Sequence, residues 1–535
     1  MIRYVRPILT TSPNAKPSAF IKQSYRRGIA LIGTSSLVLG FGVSTSTPAY
    51  AAAPFPCVND GSANDNTAEP VTGDPLDPWG DNRNAILDVL EDHSDICLDG
   101  NFVISEAIMF NEDIHIYGVG DSSIESGVGG VFISAVPTLG PATAHNITIE
   151  NLDVINSVSE EAVLGNAVGI KDSRFSNNDS GAVRALERVV VINSIFENNI
   201  GAGAITVTNT DPSIISYITD STFLGNKVED TGAEGGAVLA YSVVITNSTF
   251  SGNSAVGAGA TGGAVAAYGV QVSNSTFLDN KVEGTGAEGG AIYAIGGQAF
   301  FNTFVDNEAP LQPGPGDVPG NAIYKSTFII PGADDAPDQL FDPDFAVAAN
   351  IFAGESEYPQ LGIGGDAGLF IDGGGNVFSN TFDIESDILQ DTGSEFGASL
   401  SSIFGTDSPA LATFSPNSNG TQTISVSPSG RAVDVVPSLT FTSINEELAG
   451  FNNFYGLSEE YAVSVDFDQR GGARSNPADA GAFEITSAPA TSTPTASLAK
   501  TGNQNSWWFI VASVTLLAFG GFATAVTSRL RRRSN

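Results

Sequence analysis

Few side chains in this sequence have the types and spacing that catalysis requires. The three histidines all precede the regular repeat described below: His93, His115 and His145. Basic residues that could serve as a catalytic base lie in one stretch with two acids beside them: Lys171, Arg174, Arg184 and Arg188, with Asp172 and Glu187. A calcium-dependent elimination would need such a base next to carboxylates that hold the ion. We interpret the cluster instead as ordinary surface ion pairs.

One tripeptide has a counterpart in known chemistry. Asn209-Thr210-Asp211 resembles a motif of galacturonases. The other parts of that motif set, namely paired Asp, Gly-His-Gly and Arg-x-Lys, do not follow later in the chain. We therefore predict that Asn209 and Asp211 belong to a loop, and we assign no catalytic residues.

Two groups of acidic residues have the composition of a calcium site: Asp334, Asp335, Asp338, Asp342 and Asp344, and earlier Asp74, Asp77 and Asp81. Neither has the spacing of an EF-hand loop or of a calcium-binding nonapeptide. We predict solvated loops and no metal or cofactor, with Ca²⁺ as the alternative.

The sequence repeats itself at a constant interval. Phe-x-x-Asn forms a regular series of six, with phenylalanines spaced 21 residues apart and then four times 27 residues apart: Phe175/Asn178, Phe196/Asn199, Phe223/Asn226, Phe250/Asn253, Phe277/Asn280 and Phe304/Asn307. Gly-Gly-Ala-Val/Ile recurs in phase from Gly235, Gly262 and Gly289. Such self-similarity indicates a solenoid, in which each repeat buries its apolar face against its neighbours.

The repeats have the composition of strands. They are rich in Val, Ile, Thr, Phe and Tyr, with apolar alternation broken by Gly, Asn and Ser. One repeat per coil would stack like residues about 4.8 Å apart. This predicts interior columns of Val/Ile, Ala and Phe, and an asparagine ladder at the turns. We expect an all-β fold, a right-handed parallel β-helix of the pectin-lyase-like type.

Three tyrosines share the outward parity of the strands and are candidates for a ligand surface: Tyr241, Tyr268 and Tyr293. They could stack against sugar rings. The alternative is an aromatic ladder that only stabilises neighbouring coils.

Residues 1–51 have the features of a secretory signal peptide. Basic residues precede a short apolar core, which ends at the small-x-small site formed by Ala49 and Ala51. We expect signal peptidase to cleave there. Arg26-Arg27 leaves the twin-arginine route open beside the general one.

The other end of the chain resembles the cell-wall sorting signal of Gram-positive surface proteins. The pentapeptide LAKTG (Leu498, Ala499, Lys500, Thr501 and Gly502) precedes the apolar stretch Trp507–Val526, and arginines follow. That stretch is long enough to span a bilayer, and the arginines would hold its end in the cytoplasm. The LAxTG form is associated with actinobacterial sortases. The resemblance implies cleavage after Thr501 and covalent attachment of Thr501 to peptidoglycan. A simple membrane anchor is the alternative.

Charge and cysteine content fit an exported protein. Without the two processed segments, 12 basic residues and all 59 acidic residues remain, which gives a formal charge of −47. Such a field repels nucleic acid, and it repels acidic polysaccharides unless divalent cations bridge them to the protein. Cys57 and Cys97 are the only cysteines. In that compartment an even count favours a disulfide, worth roughly 4 kcal/mol; two free thiols are the alternative.

Two families share local patterns with this chain. The GGA(V/I) and FxxN repeats over about residues 165–310 resemble those of chlamydial polymorphic outer-membrane proteins, whose membrane barrel has no counterpart here. The segment from Asp468 to Glu484 (DQRGGARSNPADAGAFE) resembles the ending of bacterial "choice-of-anchor Q" surface proteins. We expect its charged residues to close the C-terminal coils through buried ion pairs: Asp468, Arg470, Arg474, Asp479 and Glu484.

The remaining segments complete the organisation. Residues 52–94 form an extension with a short helix over Asn84–Asp92, capped by Asp81 or Asn82, that plugs the first coil. The β-helix is expected over 95–485. A Ser/Thr/Pro linker at 486–497 leads to the sorting motif at 498–502, and residues 503–535 hold the transmembrane helix and basic tail.

These patterns predict a wall-anchored surface protein that presents an elongated face for adhesion, with sortase, peptidoglycan and a glycan or other cell-surface ligand as partners. A polysaccharide lyase or glycoside hydrolase on the same fold is the alternative.

Overall fold

The computed structural model describes residues 57–59, 82–91, 93–126, 129–134, 144–310, 320–330, 339–354, 359–364, 367–379, 389, 394–412, 421–455, 457 and 462–485. The predicted signal peptide, linker, sorting motif and membrane span lie outside these residues. Within them, no helix is both long enough and apolar enough to cross a membrane.

Strands are the main secondary structure of the described chain. The N-terminal strands are β1 (Cys57–Asn59), β2 (Asp95–Ile104), β3 (Ile108–Phe110), β4 (Ile114–Ser126), β5 (Phe132–Ser134), β6 (Ile147–Glu150) and β7 (Asp153–Ile155). The next are β8 (Val163–Lys171), β9 (Arg174–Ser176), β10 (Val183–Ile192), β11 (Ile195–Glu197), β12 (Ile200–Gly201), β13 (Ile205–Val207), β14 (Ser216–Thr219), β15 (Thr222–Leu224) and β16 (Lys227–Glu229).

The most regular repeats follow, as β17 (Val238–Thr246), β18 (Thr249–Ser251), β19 (Ser254–Val256), β20 (Val265–Ser273), β21 (Thr276–Leu278), β22 (Lys281–Glu283), β23 (Ile292–Phe300) and β24 (Thr303–Val305). The last strands are β25 (Ile323–Lys325), β26 (Phe328–Ile330), β27 (Gln339–Phe341), β28 (Phe345–Ala348), β29 (Ile351–Ala353), β30 (Leu361–Ile363), β31 (Ile371–Gly374) and β32 (Val377–Phe378). The helices in the described residues are α1 (Arg83–Leu90), α2 (Leu400–Phe404) and α3 (Ser438–Tyr455).

The strands stack in parallel as a β-solenoid. Parallel pairs join 26 of the described strands, and β12, β16, β19 and β22 form a second parallel sheet. The predicted register is confirmed: Val238, Val265 and Ile292 align on successive coils, as do the six repeat phenylalanines. The phenylalanine rings are buried and stack face to face, with centroids 4.6–5.1 Å apart.

The asparagine ladder is also confirmed. From Asn178 to Asn307, each side-chain amide nitrogen donates to the amide oxygen of the next asparagine, at 2.7–2.9 Å. All six are buried. The ladder gives hydrogen-bond partners to polar groups that would otherwise be buried without one. It also fixes the spacing between neighbouring coils.

Helix α1 covers the first coil, with Ile86 buried in the same core as the strands. Asn82 is its N-cap residue, but its side chain does not bond to the helix. Its amide oxygen accepts from the backbone N–H of Val103 at 2.9 Å, and its own N–H donates to the Val103 carbonyl at 2.8 Å. The helix entry is therefore tied to β2 instead of being capped locally.

Strand β32 is the last strand of the stack, but the stack continues beyond it: Leu389 and Glu395 form parallel bridges to Phe370 and Val377, and Phe396 stacks on Phe378. A later segment packs along the side of the solenoid. The Gln469 amide nitrogen donates to the Ser248 carbonyl at 3.2 Å, and the Ala482 N–H donates to Thr303 Oγ1 at 2.9 Å. Residues 462–485, which we call the flank segment, therefore contact coils that precede them by about 180 to 220 positions.

Candidate ligand-binding cleft

A cleft of about 220 Å³ opens on the outer face of the solenoid where β13, β17, β20 and β23 stack. Its position follows from an insertion. Ala240 and Val243 are separated by two residues, whereas the equivalent residues of the preceding coil, Val207 and Ser216, are separated by eight. The resulting loop, residues 208–215, forms one wall of the cleft.

The three predicted tyrosines all line this cleft, but they do not form one column. Tyr241 and Tyr268 stack on each other, with centroids 4.5 Å apart and planes within 4°. Tyr293 aligns with Ala266 of the preceding coil and stacks on Tyr324 at 5.8 Å. The three tyrosines therefore form two stacked pairs, which meet at one cleft, and not the one aromatic ladder that was the alternative.

The tyrosines differ in exposure. Tyr268 is 42% exposed, whereas Tyr241 and Tyr293 are partly buried. Burial raises the pKa of both Tyr241 and Tyr293 above the usual value for a phenol. Both phenols are therefore neutral at physiological pH and can donate as well as accept hydrogen bonds.

The Asn-Thr-Asp tripeptide lies in the inserted loop, as predicted. Asn209 Oδ1 accepts from the N–H of Asp211 at 3.0 Å, and Asp211 Oδ1 accepts from the Ser213 N–H at 2.9 Å and from its hydroxyl at 2.6 Å. These turns orient Asn209, which lines the cleft, so that its side-chain nitrogen is buried without a hydrogen-bond partner.

The pKa values of two carboxyl groups near the cleft are shifted in opposite directions. The hydrogen bonds from Ser213 lower the pKa of Asp211, whose negative charge in turn helps to raise the pKa of Tyr241. Glu234 lies exposed on the cleft rim, and partial desolvation raises the pKa of its carboxyl. The cleft thus joins aromatic surface to a few polar groups, as ligand sites commonly do.

The other candidate residues have structural contacts. Arg174 pairs with Glu197 at 2.5 Å and Arg184 pairs with Glu161, both at the surface, while Arg188 is buried. Within the described residues, no three His, Cys, Asp or Glu side chains are grouped to hold a metal ion. The cluster from Asp74 to Asp81 lies outside those residues, as do Asp334, Asp335 and Asp338.

The charges of the flank segment form a buried network. Arg474 and Glu484 pair at 3.4 Å with both side chains fully buried. Burial lowers the pKa of Arg474 to about 10 and raises the pKa of Asp479 to about 6. The Arg474 guanidinium also lies 4.1 Å from the ring centre of Phe301. The sequence predicts these ion pairs, but it does not predict that they lie on the side of the coils.

The cysteines lie at the N-terminal end. Cys97 is buried and disulfide-bonded, and strand β1 places Cys57 opposite it in register. The signal-peptidase and sortase residues lie outside the described residues.

No family model matches the chain, and no curated protein matches it.

Proposed function

We propose that this chain is an exported, wall-anchored surface protein whose solenoid, a right-handed β-helix of the pectin-lyase-like type, presents a side face that binds a cell-surface ligand. The observation that carries the proposal is the tyrosine-lined cleft on a rigid stack of coils. Aromatic side chains held by stacked neighbours bind with little loss of conformational freedom.

The position of the flank segment supports lateral presentation. Its last described residue, Ile485, comes three positions after Ala482, whose N–H donates a hydrogen bond to Thr303 on β24. The linker to LAKTG would therefore leave from the flank of the solenoid and not from the tip of its last coil. Attachment through Thr501 would hold the coils from the side. The flank segment lies beside the second half of β17, at Val244, whereas the cleft is lined by the first half of β17, at Leu239 and Tyr241.

The anchoring part of the proposal is tested on wall fragments. Cells that express the chain are digested with a muramidase, and released peptides are examined by mass spectrometry for a peptidoglycan stem peptide on Thr501. Thr501→Ala should abolish the conjugate and Thr495→Ala, in the linker, should leave it intact. A full-length product that stays in the membrane fraction would refute wall attachment.

The adhesion part is tested with whole cells. Wild-type cells and cells lacking the chain are compared for attachment to surfaces coated with host or bacterial glycans and proteins. Attachment that depends on the chain is expected, and equal attachment by both strains would contradict the proposal.

A second function, glycan cleavage, is favoured by one observation. Glycoside hydrolysis uses two carboxyl groups whose pKa values are pushed apart, and Glu234 and Asp211 are perturbed in opposite directions beside the cleft. The purified chain is incubated for a day with neutral and acidic polysaccharides, with and without Ca²⁺, and new reducing or unsaturated ends are counted. Turnover that Glu234→Gln and Asp211→Asn both abolish would establish the enzyme; no turnover would leave the binding function.

A further inference from the structure

The outward column beside the cleft has a gap in its stack of large side chains. Leu239, Ala266, Tyr293 and Tyr324 occupy successive coils in register. Neighbouring coils lie about 4.8 Å apart, so the Leu239 and Tyr293 positions are separated by about 9.6 Å. Ala266 forms the buried floor between them and has no ring to fill that height. One coil of the column therefore lacks its large side chain.

The neighbouring column provides a side wall to this gap. Tyr241 and Tyr268 line the same cleft as Ala266 and Tyr293, and their rings are parallel within 4°. A flat ring that enters above Ala266 would lie under Tyr293 and beside Tyr268. It would continue the stack that Tyr293 and Tyr324 already form.

Polar groups at the cleft determine the chemistry of such a ring. The side-chain nitrogen of Asn209 is a buried donor without a partner. The Glu234 carboxyl is an acceptor, and no hydrogen bond or ion pair occupies it among the described residues. A hydroxyl group can accept from the first and donate to the second, whereas an ammonium group only donates and a carboxylate only accepts. The acidic surface also disfavours anions.

We propose that the cleft binds a neutral sugar ring, inserted above Ala266 with its apolar face against Tyr293 and its hydroxyl groups directed to Asn209 and Glu234. This inference rests on the proposed function, since it names the ligand class of the same side face. A neutral pyranose combines the apolar face and the hydroxyl groups that the cleft presents.

The test uses the purified full chain and calorimetric titration. The neutral probes are cellobiose, lactose and N,N′-diacetylchitobiose, the acidic probe is digalacturonate and the cationic probe is choline. We expect at least one neutral disaccharide to bind. Ala266→Tyr should weaken that binding at least about tenfold, because the added ring occupies the gap and continues the stack.

Two further variants keep the result interpretable if Ala266→Tyr fails to fold. Tyr268→Ala, at an exposed position, should weaken binding about tenfold through loss of ring contact. Tyr117→Ala is the matched control, because Tyr117 is also exposed but lies on β4, outside the cleft. It should bind as the wild type does.

The outcomes separate this inference from the function on which it rests. Neutral sugar binding that Ala266→Tyr and Tyr268→Ala abolish supports it. Absence of neutral sugar binding, binding of choline or digalacturonate in its place, or indifference to both substitutions overturns it. If cells with these substitutions still attach as wild-type cells do, the inference fails while the adhesion function stands. If wild-type cells attach no better than cells that lack the chain, the adhesion function itself is refuted.

Discussion

Asp479 and Glu484 lie together in the flank segment, where the Asp479 N–H donates a 2.9 Å hydrogen bond to Glu484 Oε2. Both carboxyl groups are buried beside the guanidinium of Arg474. The network also holds the ion pair of Arg470 with Asp468, so two cations lie among three acids and protonation of one acid is favoured. Burial, with a contribution from Glu484, raises the pKa of Asp479 from 3.8 to about 6.

This relationship predicts a pH dependence of stability. The folded chain holds the Asp479 proton more tightly than the unfolded chain does, so the ionised carboxyl costs folding free energy above pH 6. That cost disappears as the pH falls towards 4 and amounts to about 2–3 kcal/mol. The difference in the free energy of unfolding between wild type and Asp479→Asn should change by this amount between pH 7.5 and pH 4.

Urea unfolding at closely spaced pH values measures this difference. Asp407→Asn, at an exposed bend, is the control substitution. A wild-type minus Asp479→Asn difference that stays constant across the range would contradict the prediction.

The asparagine ladder should be sensitive to one substitution at its centre. Asn253 Oδ1 accepts from Asn226, and its amide nitrogen donates to Asn280 and to the Phe223 carbonyl. Asn253→Ala would leave buried groups unpaired on both neighbouring coils, at a cost of about 2–5 kcal/mol. Thr231→Ala, in an exposed turn, should cost little. Equal unfolding midpoints for the two variants would show that the ladder does not stabilise the coils.

The regular part of the fold could be predicted because its residues repeat. Phe250 and Asn253 recur at the same interval as the coil, so their columns follow from the sequence alone. The column of Tyr293 was harder to predict. Tyr293 lies on the same side of its strand as Tyr241 does, but it aligns between coils with Ala266. Parity gives the side of a strand on which a residue lies, but not its column.

The cleft and the flank segment depend on contacts that no local pattern specifies. The loop of residues 208–215 is six residues longer than its two-residue counterpart in the next coil, and it falls in the interval where the spacing of phenylalanines rises from 21 to 27. The spacing stays at 27 in later coils that lack this loop, so the spacing alone does not locate the cleft wall. The contact of Gln469 with Ser248 joins residues 221 positions apart. Neither partner belongs to a repeat shared with the other, so the sequence carries no periodic signal for it.

Two glycines should respond very differently to alanine. A Cβ on Gly263 would lie 2.1 Å from the Gly290 carbonyl oxygen and 2.5 Å from the Lys281 nitrogen, both of which are backbone atoms of the next coil. A Cβ on Gly259 would meet no atom within 4 Å, and only its φ of +73° opposes the change. Gly263→Ala should therefore cost at least about 3 kcal/mol and Gly259→Ala about 1 kcal/mol. Thermal unfolding of the two variants in parallel tests this, and equal losses would argue against close contact of the coils at Gly263.

Gln469 should control how firmly the flank segment is held. Its buried amide nitrogen donates to the Ser248 carbonyl and to Thr249 Oγ1, and its oxygen accepts from the Thr276 hydroxyl at 2.6 Å. Gln469→Ala removes these bonds without touching the interior columns. Hydrogen exchange measured by mass spectrometry should then accelerate in residues 462–485 and remain unchanged in β17–β24. Ser464→Ala, at the exposed end of the same segment, is the control and should leave both regions as in the wild type. If exchange in β17–β24 also accelerates, the stability of the coils depends on the flank segment. The coils then do not form an independent scaffold for the cleft.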